Sequence, residues 1–428
     1  MEEHGGSNDS IFRIPGLFKM RNEQAYTPYK FSIGPWHFGK TQVLRSGQNL
    51  KESAREGLLA RFPDPAAKRR ELEEAIHNAY DQARECYEGG DVYHGREDMD
   101  VARREFEEIL LLDGCFIIGL FRKRTEMVSE NDERGSIQEN EFVHLLTGMT
   151  HVIYHDLLLL DNQIPWFVLE LLFDATNKDP QFINFTLVDL AMSFFGHVCC
   201  HVPPQELPKL SSRDRYHSSI RHLVDFVWRC WDVSSERVVI NFDLLDYGTL
   251  IPSATRLKEA GVKFQKVESR NILDVKFNKG VLEIPPLQIT PSTETIFRNL
   301  IIFEQCSRIS MPKVTSYAIL LDCLVDTSDD VHLMNEVGIL DNGLNPEEMA
   351  NFLNRVRDNT VTQEVIYAKL RKDVNEYCKR RWPRWRAYLI QNYFTKPWAI
   401  VSVIFATIVL IFMITQVFHF YKKHHAGF

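Results

Sequence analysis

The sequence lacks the short motifs by which many catalytic sites are recognised. Its 428 residues contain no GxSxG nucleophile elbow, no GxGxxG turn after a predicted strand and no HExxH zinc helix. Its eight cysteines are scattered and form no CxxC pair, so neither a disulfide framework nor a thiolate metal site is predicted. We therefore expect no cofactor, no bound metal and no enzymatic activity, with the cysteines as small buried side chains in a reducing compartment.

Positive charge is scarce outside the C-terminal part of the chain. The formal charge is −8, and the residues from Lys379 onward include eight basic and no acidic ones, which leaves −16 for residues 1–378. Nucleic-acid binding needs clustered lysine and arginine side chains that contact phosphates. We therefore expect no nucleic acid among the partners of this protein.

The first 40 residues show neither a signal peptide nor helical periodicity. Residues 1–10 are acidic and polar, without an apolar core, and are expected to form a disordered tip. In residues 11–40, Pro15, Pro28 and Pro35 remove backbone donors and fix φ, which favours an extended segment. The aromatic side chains of this segment need a surface to pack against. We predict that residues 11–40 lie as a strap across the helices that follow.

A long apolar run follows the basic segment near the C-terminus. Residues 399–418 carry no formal charge, and a helix of that length rises about 30 Å, the thickness of a bilayer core. Six basic residues precede the run and two follow it, so the positive-inside rule places the body in the cytosol. We predict a single-pass C-terminal anchor with membrane lipid as a partner, at the plasma membrane rather than an endomembrane. The predicted anchor residues are Trp398, Ala399, Ile404, Leu410, Phe412 and Phe418.

Most of the remaining chain repeats apolar residues at three- and four-residue steps, which predicts helices. The predicted helices span about 64–86, 98–112, 187–200, 215–231, 293–307, 316–325, 346–357 and 363–378, with a solvated loop at 122–138. At about 261–289 the period changes to that of short strands around a turn at Asn278-Lys279-Gly280. The predicted fold class is mainly α: a helical globular body with a small antiparallel β insertion and one C-terminal transmembrane helix.

A short polar segment interrupts two apolar helical stretches in the middle of the chain. Asp161-Asn162-Gln163 precedes Pro165, which breaks the helical pattern, so we predict a kink whose side chains cap helix ends and brace the core. Two other interpretations stay open. Either this trio is catalytic, or His151 and His155, four residues apart on a predicted helix, bind a metal. His197, Cys199, Cys200 and His201 form another small cluster that is a candidate for zinc.

Several stretches, in order and in combination, resemble the plant proteins that contain domain of unknown function 247. These stretches are 14–15 with 25–39, 113–117, 156–170, 261–264 with 280–289, 299–306 and 392–402. Two departures are visible: Asp161 stands where the family usually has Glu, and Trp36-His37-Phe38 replaces Tyr-His-His. The family-motif residues, to which the resemblance gives structural roles, are Tyr26, Pro28, Gly34, Pro35, His37, Asp156, Asp161, Asn162, Gln163, Pro165, Asn299, Glu304 and Gln305.

The resemblance implies a largely helical plant protein with a C-terminal anchor and no established enzymatic activity. Its body would span residues 11–378, followed by a basic-aromatic juxtamembrane segment (379–398), the anchor (399–418) and a short tail (419–428). Some relatives look like pollen-side determinants of grass self-incompatibility. We therefore predict a membrane-anchored interaction or recognition protein with an unknown protein partner, in signalling or pollen–pistil recognition. The alternatives are a metal-dependent or other enzyme and a structural scaffold at a plant membrane.

Overall fold

The fold is mainly helical, with a small amount of β-sheet in the C-terminal half of the chain. The structure, a computed structural model, describes residues 10–20, 22–90, 92, 98–130, 148–177, 182–199, 220–231, 250–269, 271–307, 309, 311–342, 345–356, 366–380 and 397–425. Its helices are α1 (Gly16–Lys19), α2 (Gln42–Leu59), α3 (Pro65–Asn78), α4 (Tyr80–Glu85), α5 (Met99–Glu130), α6 (Thr150–Leu157), α7 (Trp166–Thr176), α8 (Leu187–Cys199), α9 (Leu223–Cys230), α10 (Ala254–Glu259), α11 (Thr293–Cys306), α12 (Lys313–Leu324), α13 (Ser328–Glu336), α14 (Pro346–Arg355), α15 (Ala368–Lys379) and α16 (Pro397–His425). Its strands are β1 (Lys263–Lys266), β2 (Lys276–Asn278), β3 (Val281–Ile284), β4 (Leu287–Ile289) and β5 (Leu340–Asn342).

Local capping signals place several helix starts where the sequence predicts them. Asp64 accepts a hydrogen bond from the backbone N–H of Ala67 at 2.9 Å, and Pro65 occupies the first position of α3. The helix predicted over 64–86 is divided, because α3 ends at Asn78 and α4 begins after Ala79. Helix α2 was not predicted, because its buried face includes Lys51 and therefore lacks a continuous apolar stripe.

The long helix α5 corrects the loop predicted at 122–138. It continues through the charged residues after Phe121 and ends at Glu130, while residues 131–138 lie outside the described ranges. The guanidinium of Arg122 is buried and lies 5.7 Å from the ring centroid of Phe173 and 5.5 Å from that of Phe182. The charged residues that follow Phe121 therefore belong to a packed part of helix α5 rather than to a solvated loop.

The β insertion is mixed rather than antiparallel, so that part of the predicted fold class is wrong. β2 and β3 form the expected antiparallel hairpin, with Lys279 and Gly280 in the turn at φ of 49° and 86°. β1 pairs with the other edge of β3 in parallel, and β4 and β5 form a separate parallel pair. The reason is topological, since the chain between β1 and β2 crosses to the far edge of the sheet before the hairpin forms.

The C-terminal apolar run forms a helix, but the predicted membrane anchor is not supported. Trp398, Ala399 and Phe418 belong to α16, and the side chains of Ile404, Leu410 and Phe412 on the same helix are exposed. A membrane span must be both long enough and apolar enough to cross the bilayer core. Within the ranges given above, no helix meets both requirements. The predicted single-pass anchor and the membrane localisation that depended on it are therefore wrong.

Residues 11–40 follow an irregular path with two single helical turns, α1 and a 3-10 turn at Glu23–Tyr26. Ile11 forms a parallel bridge with Tyr87, and Phe31 packs against Phe116 of α5 with ring centroids 4.9 Å apart. Most of the aromatic side chains in this segment are buried or half-buried. We call residues 11–40 the strap. The strap brings its backbone against α2, α5 and α6, which positions the polar site described below.

We predict that Gly47→Ala loosens the strap. A Cβ atom added at Gly47 would lie 2.3 Å from the carbonyl oxygen of Lys30, so α2 and the strap would have to move apart. The expected loss is about 1–3 kcal/mol of unfolding free energy, as for other overpacked sites, measured by urea denaturation of the full chain.

Gly57→Ala is the matched control, because Gly57 lies on the same helix and nothing is within 4 Å of its added Cβ. Alanine has the higher helix propensity, so this change should stabilise the protein by about 0.5–1 kcal/mol. Equal responses to the two substitutions would contradict the close packing of the strap on α2.

Candidate functional site

The strap is fastened to the helical body by the carboxylate of Asp156. This side chain lies on α6 and accepts hydrogen bonds from three successive backbone N–H groups, those of Tyr29 (2.7 Å), Lys30 (2.8 Å) and Phe31 (2.7 Å). The carboxylate is buried, so these bonds replace water at donors that would otherwise be unpaired. Asp156 therefore acts as an acceptor for the strap backbone.

His155 adds a second fastening point beside this carboxylate. Its Nε2 lies 3.0 Å from the carbonyl oxygen of Gln24, and its Nδ1 lies 3.0 Å from Oδ1 of Asp156. The ring stacks on Tyr29 with centroids 3.8 Å apart. The two ring nitrogens therefore contact one oxygen of the strap backbone and one of the neighbouring carboxylate. His151 is exposed, so the two histidines do not share a site.

The turn after α6 is held by its own amide side chains. Asn162 accepts a hydrogen bond from the N–H of Ile33 at 2.7 Å and donates to the carbonyls of Phe31 and Asp156. Gln163 donates to the carbonyls of Leu157 and Leu159, and its Oε1 accepts from the N–H of Leu223 at the start of α9. Both amides are fully buried. They connect the strap, the end of α6 and α9 through backbone groups.

Two more motif side chains use their polar atoms in the same way. Asn299 on α11 accepts from the N–H of Leu160 at 2.9 Å and donates to the carbonyl of Ala25 at 3.2 Å. Glu304 accepts from Trp228 and from the first turn of α12, and burial raises its pKa in spite of these bonds. Tyr26, another motif residue, is buried in the strap. Gln305 differs from the other motif side chains, because its Nε2 has no hydrogen-bond partner among the described residues.

His222 fastens the N-terminal end of the strap. It caps α9 by accepting the N–H of Asp225 at Nδ1 (3.3 Å), and its Nε2 donates to the carbonyl of Ser10 (2.9 Å). These bonds specify the neutral ring with hydrogen on Nε2. Burial lowers the pKa of His222 to about 4, and the nearby guanidiniums of Arg221 and Arg229 act in the same direction.

The loop from Gly34 to Thr41 lies between two carboxylates. At one end, Asp113 of α5 accepts the N–H of Gly34 at 2.8 Å and is bonded to the ammonium of Lys51, which also reaches the carbonyl of Ser32. Burial raises the pKa of Asp113 despite the neighbouring ammonium. At this end of the loop the charges are paired inside the protein.

At the other end of the loop, Asp161 faces Lys19 of the strap and His37 of the loop itself. Nζ of Lys19 lies 2.8 Å and Nε2 of His37 lies 3.1 Å from its carboxylate oxygens. Burial alone would raise the pKa of Asp161, but His37 and Lys19 together hold it below its usual value. Desolvation lowers the pKa of Lys40, and Lys19 and Arg13 add to this effect against the opposite influence of Asp161. Several cations therefore surround one carboxylate.

No P-loop motif was expected in this chain, and this loop corrects that expectation as far as residue spacing goes. Gly34-Pro-Trp-His-Phe-Gly39-Lys40-Thr41 matches the GxxxxGK[ST] spacing of phosphate-binding loops, and Thr41 caps the following helix α2. Both glycines have positive φ. However, no strand precedes the loop in the described residues 10–20 and 22–33, and the N–H of Gly34 is bonded to Asp113. The carboxylates of this chain thus occupy places that an anion would take, and the spacing alone does not establish a phosphate site.

Two surface cavities lie next to these elements. A polar cleft of about 530 Å³ is lined by Asn22 of the strap, by Glu294 and Arg298 of α11, and by residues of α14 that include Arg355. A larger groove of about 920 Å³ is lined by Trp228, Phe277, Lys313 and Tyr367, among others. Within the described ranges, no three His, Cys, Asp or Glu side chains are grouped as a metal site requires. The His197–His201 cluster lies outside the described side chains.

Comparisons with known proteins agree with the resemblance seen in the sequence. The family model DUF247, described as "Plant protein of unknown function", matches residues 11–412. "UPF0481 protein At3g47200" of Arabidopsis thaliana is 28% identical over 94% of this chain and 84% of its own length. "Putative UPF0481 protein At3g02645" of the same organism is 23% identical over 96% of this chain and 89% of its own length. No solved structure matches the chain.

We predict that Asn162→Leu destabilises the protein by about 1–3 kcal/mol. The substitution leaves the N–H of Ile33 and the carbonyls of Phe31 and Asp156 without their buried partner. Thermal unfolding of the full chain measures the effect. Asn49→Leu, at an exposed position of α2, is the control and should change stability by less than about 0.5 kcal/mol. An unchanged midpoint for Asn162→Leu would show that the turn does not brace the strap.

We predict that His222 makes stability depend on pH. The pKa of its ring is about 4 in the folded protein and 6.5 without the shift, so the unfolded chain takes up a proton first as pH falls. Its contribution is complete above about pH 6.5 and is lost between pH 6.5 and 4, by roughly 3 kcal/mol in total.

His222→Asn isolates this contribution, because asparagine keeps the helix cap and removes the titration. The measurement is the unfolding free energy of both proteins at steps between pH 7 and 4.5. Parallel pH profiles for the wild type and the variant would contradict the prediction.

Proposed function

Because the chain belongs to the DUF247 family of plant proteins of unknown function, we propose a function from the site itself: non-catalytic protein interaction or recognition, with the strap as part of the binding surface. Polar side chains in an enzyme must be free to reach a substrate. Here Asp156, Asn162 and Gln163 use their polar atoms on backbone groups of the strap and its neighbours. The use of these polar atoms for backbone hydrogen bonds supports a non-catalytic role.

The fastening holds the described residues of the strap at several points along the segment. Its inner side is held from Ser10 to Gly34 by contacts with α5, α6 and α9, while Leu17, Met20 and Tyr29 remain exposed. A segment held in one conformation loses little conformational entropy when a partner binds to it. This favours a preformed binding surface over a flexible linker. A recognition role of the kind implied by the family resemblance would use such a surface.

The rival proposal is an enzyme that uses the Asp161-Asn162-Gln163 turn. Asn162 and Gln163 are fully buried, and Asp161 faces Lys19 and His37. Of the three, only Asp161 lies beside side chains that reach solvent. Asp161→Asn therefore separates the two proposals, because it removes any carboxylate chemistry and keeps the shape of the turn.

We predict that the tagged full chain recovers a stoichiometric protein partner from plant tissue after cross-linking. Asn162→Leu, which loosens the strap, should reduce that recovery several-fold, whereas Asn49→Leu should not. Asp161→Asn should retain partner recovery. The proposal fails if no stoichiometric protein is recovered, or if the purified chain consumes a metabolite of the tissue extract and Asp161→Asn abolishes that turnover.

A further inference from the structure

The strap differs in charge from the body on which it lies. Residues 11–40 contain five basic residues and one acidic residue, whereas residues 41–378 carry a formal charge of −17. Such an asymmetry within one chain indicates an interaction preference rather than a folding requirement. At physiological ionic strength charges are screened beyond about 8 Å. A partner in contact with the strap therefore meets its local positive charge rather than the charge of the whole protein.

The exposed side of the strap combines these cations with apolar side chains. We define the strap patch as Arg13, Leu17, Lys19, Met20 and Lys40 of the strap together with Arg45 of the adjoining helix α2. Leu17 is 59% exposed and Met20 is 83% exposed, one on either side of Lys19. Large apolar side chains at such exposure, next to charge, are typical of binding surfaces. The patch thus offers both apolar and cationic side chains to a partner.

The cations of the patch come from the strap and from the start of α2. The guanidinium of Arg13 lies 5.1 Å from the Trp36 ring centroid, and Arg45 of α2 donates to the carbonyl of Gly39 at 3.4 Å. Lys40 lies between them in the chain and interacts electrostatically with Lys19 and Arg13. Among the described residues, the carboxylates seen to interact with this cluster are Asp161, which is buried, and Glu88, which accepts the N–H of Arg13 at 2.9 Å. The arrangement leaves an excess of positive charge at the surface.

We infer that the strap patch binds a segment of a partner protein in which carboxylate side chains flank an apolar side chain. This inference rests on the proposed interaction function and names the chemistry of the partner. Asp161 gives the geometric precedent, since a carboxylate of this chain is already bound by Lys19 and His37 at the inner side of the patch. The exposed Met20 and Leu17 supply the apolar contact that a free anion would not use.

The test is a binding titration with defined peptides and the full chain. The probe is a fluorescently labelled peptide of about twelve residues with alternating glutamate and leucine. One comparison peptide has lysine in place of glutamate, and another has serine in place of leucine. We expect only the glutamate–leucine peptide to bind. Lys40→Glu and Met20→Ser should each weaken its binding roughly tenfold, because each removes one of the two kinds of contact.

Two matched substitutions control for general effects. Lys263→Glu makes the same charge change at an exposed position of β1, and Met99→Ser removes an exposed methionine at the start of α5. Both should leave peptide affinity within about twofold, since neither touches the patch. Equal binding of the lysine peptide, or equal responses of patch and control variants, would overturn the inference.

Three further outcomes would assign the patch differently. Displacement of the peptide by magnesium–ATP, lost in Lys40→Glu, would make the Gly34–Thr41 loop a phosphate site. Tighter binding of a single-stranded oligonucleotide than of the peptide would make the patch a nucleic-acid contact. Self-association in sedimentation experiments that disappears in Lys40→Glu would make a second copy the occupant. If tissue capture recovers the same partner with wild type and Lys40→Glu, the interaction function stands and the patch assignment fails.

Discussion

The Asp156 carboxylate is the acceptor on which the N-terminal part of the fold depends. Residues 29–31 belong to no helix or strand, so their N–H groups need an acceptor from elsewhere in the chain. Asp156 supplies it for all three. Each buried donor left unpaired would cost about 1–3 kcal/mol. The strap and the end of α6 are therefore stable only together.

The same constraint decides how the helices meet around this point. Apolar burial provides most of the free energy of folding, but it has no direction and tolerates small shifts of one helix past another. Asn162, Gln163 and Asn299 each bond to backbone groups on at least two separate segments. A shift of α9 or α11 by one residue would break these bonds. Buried amides thus fix a register that the apolar side chains leave open.

The difference between non-directional apolar burial and specific buried hydrogen bonds explains which features could be predicted from the sequence. Local periodicity, capping and turn residues predict the mainly helical body, the cap at Asp64 and the hairpin that turns before Val281. The structure confirms all of these. The helix α2 was missed because its buried face carries Lys51, whose acceptor Asp113 lies 62 residues away. The parallel pairs of the sheet join strands that are distant in sequence. Such partners are set by tertiary packing, which local periodicity does not contain.

Asp113 and Asp161, at the two ends of one loop, show how the fold separates support from binding. Asp113 is buried and ion-paired with the buried Lys51, so neither side chain reaches the surface where a partner would bind. Asp161 instead meets Lys19, which reaches solvent, and its pKa is lowered by the cations around it. Interior carboxylates hold the backbone of the strap through its N–H groups, which leaves Arg13 and Lys40 exposed although Lys19 is paired with Asp161. A basic segment can therefore lie on an acidic body and keep its charge available at the surface.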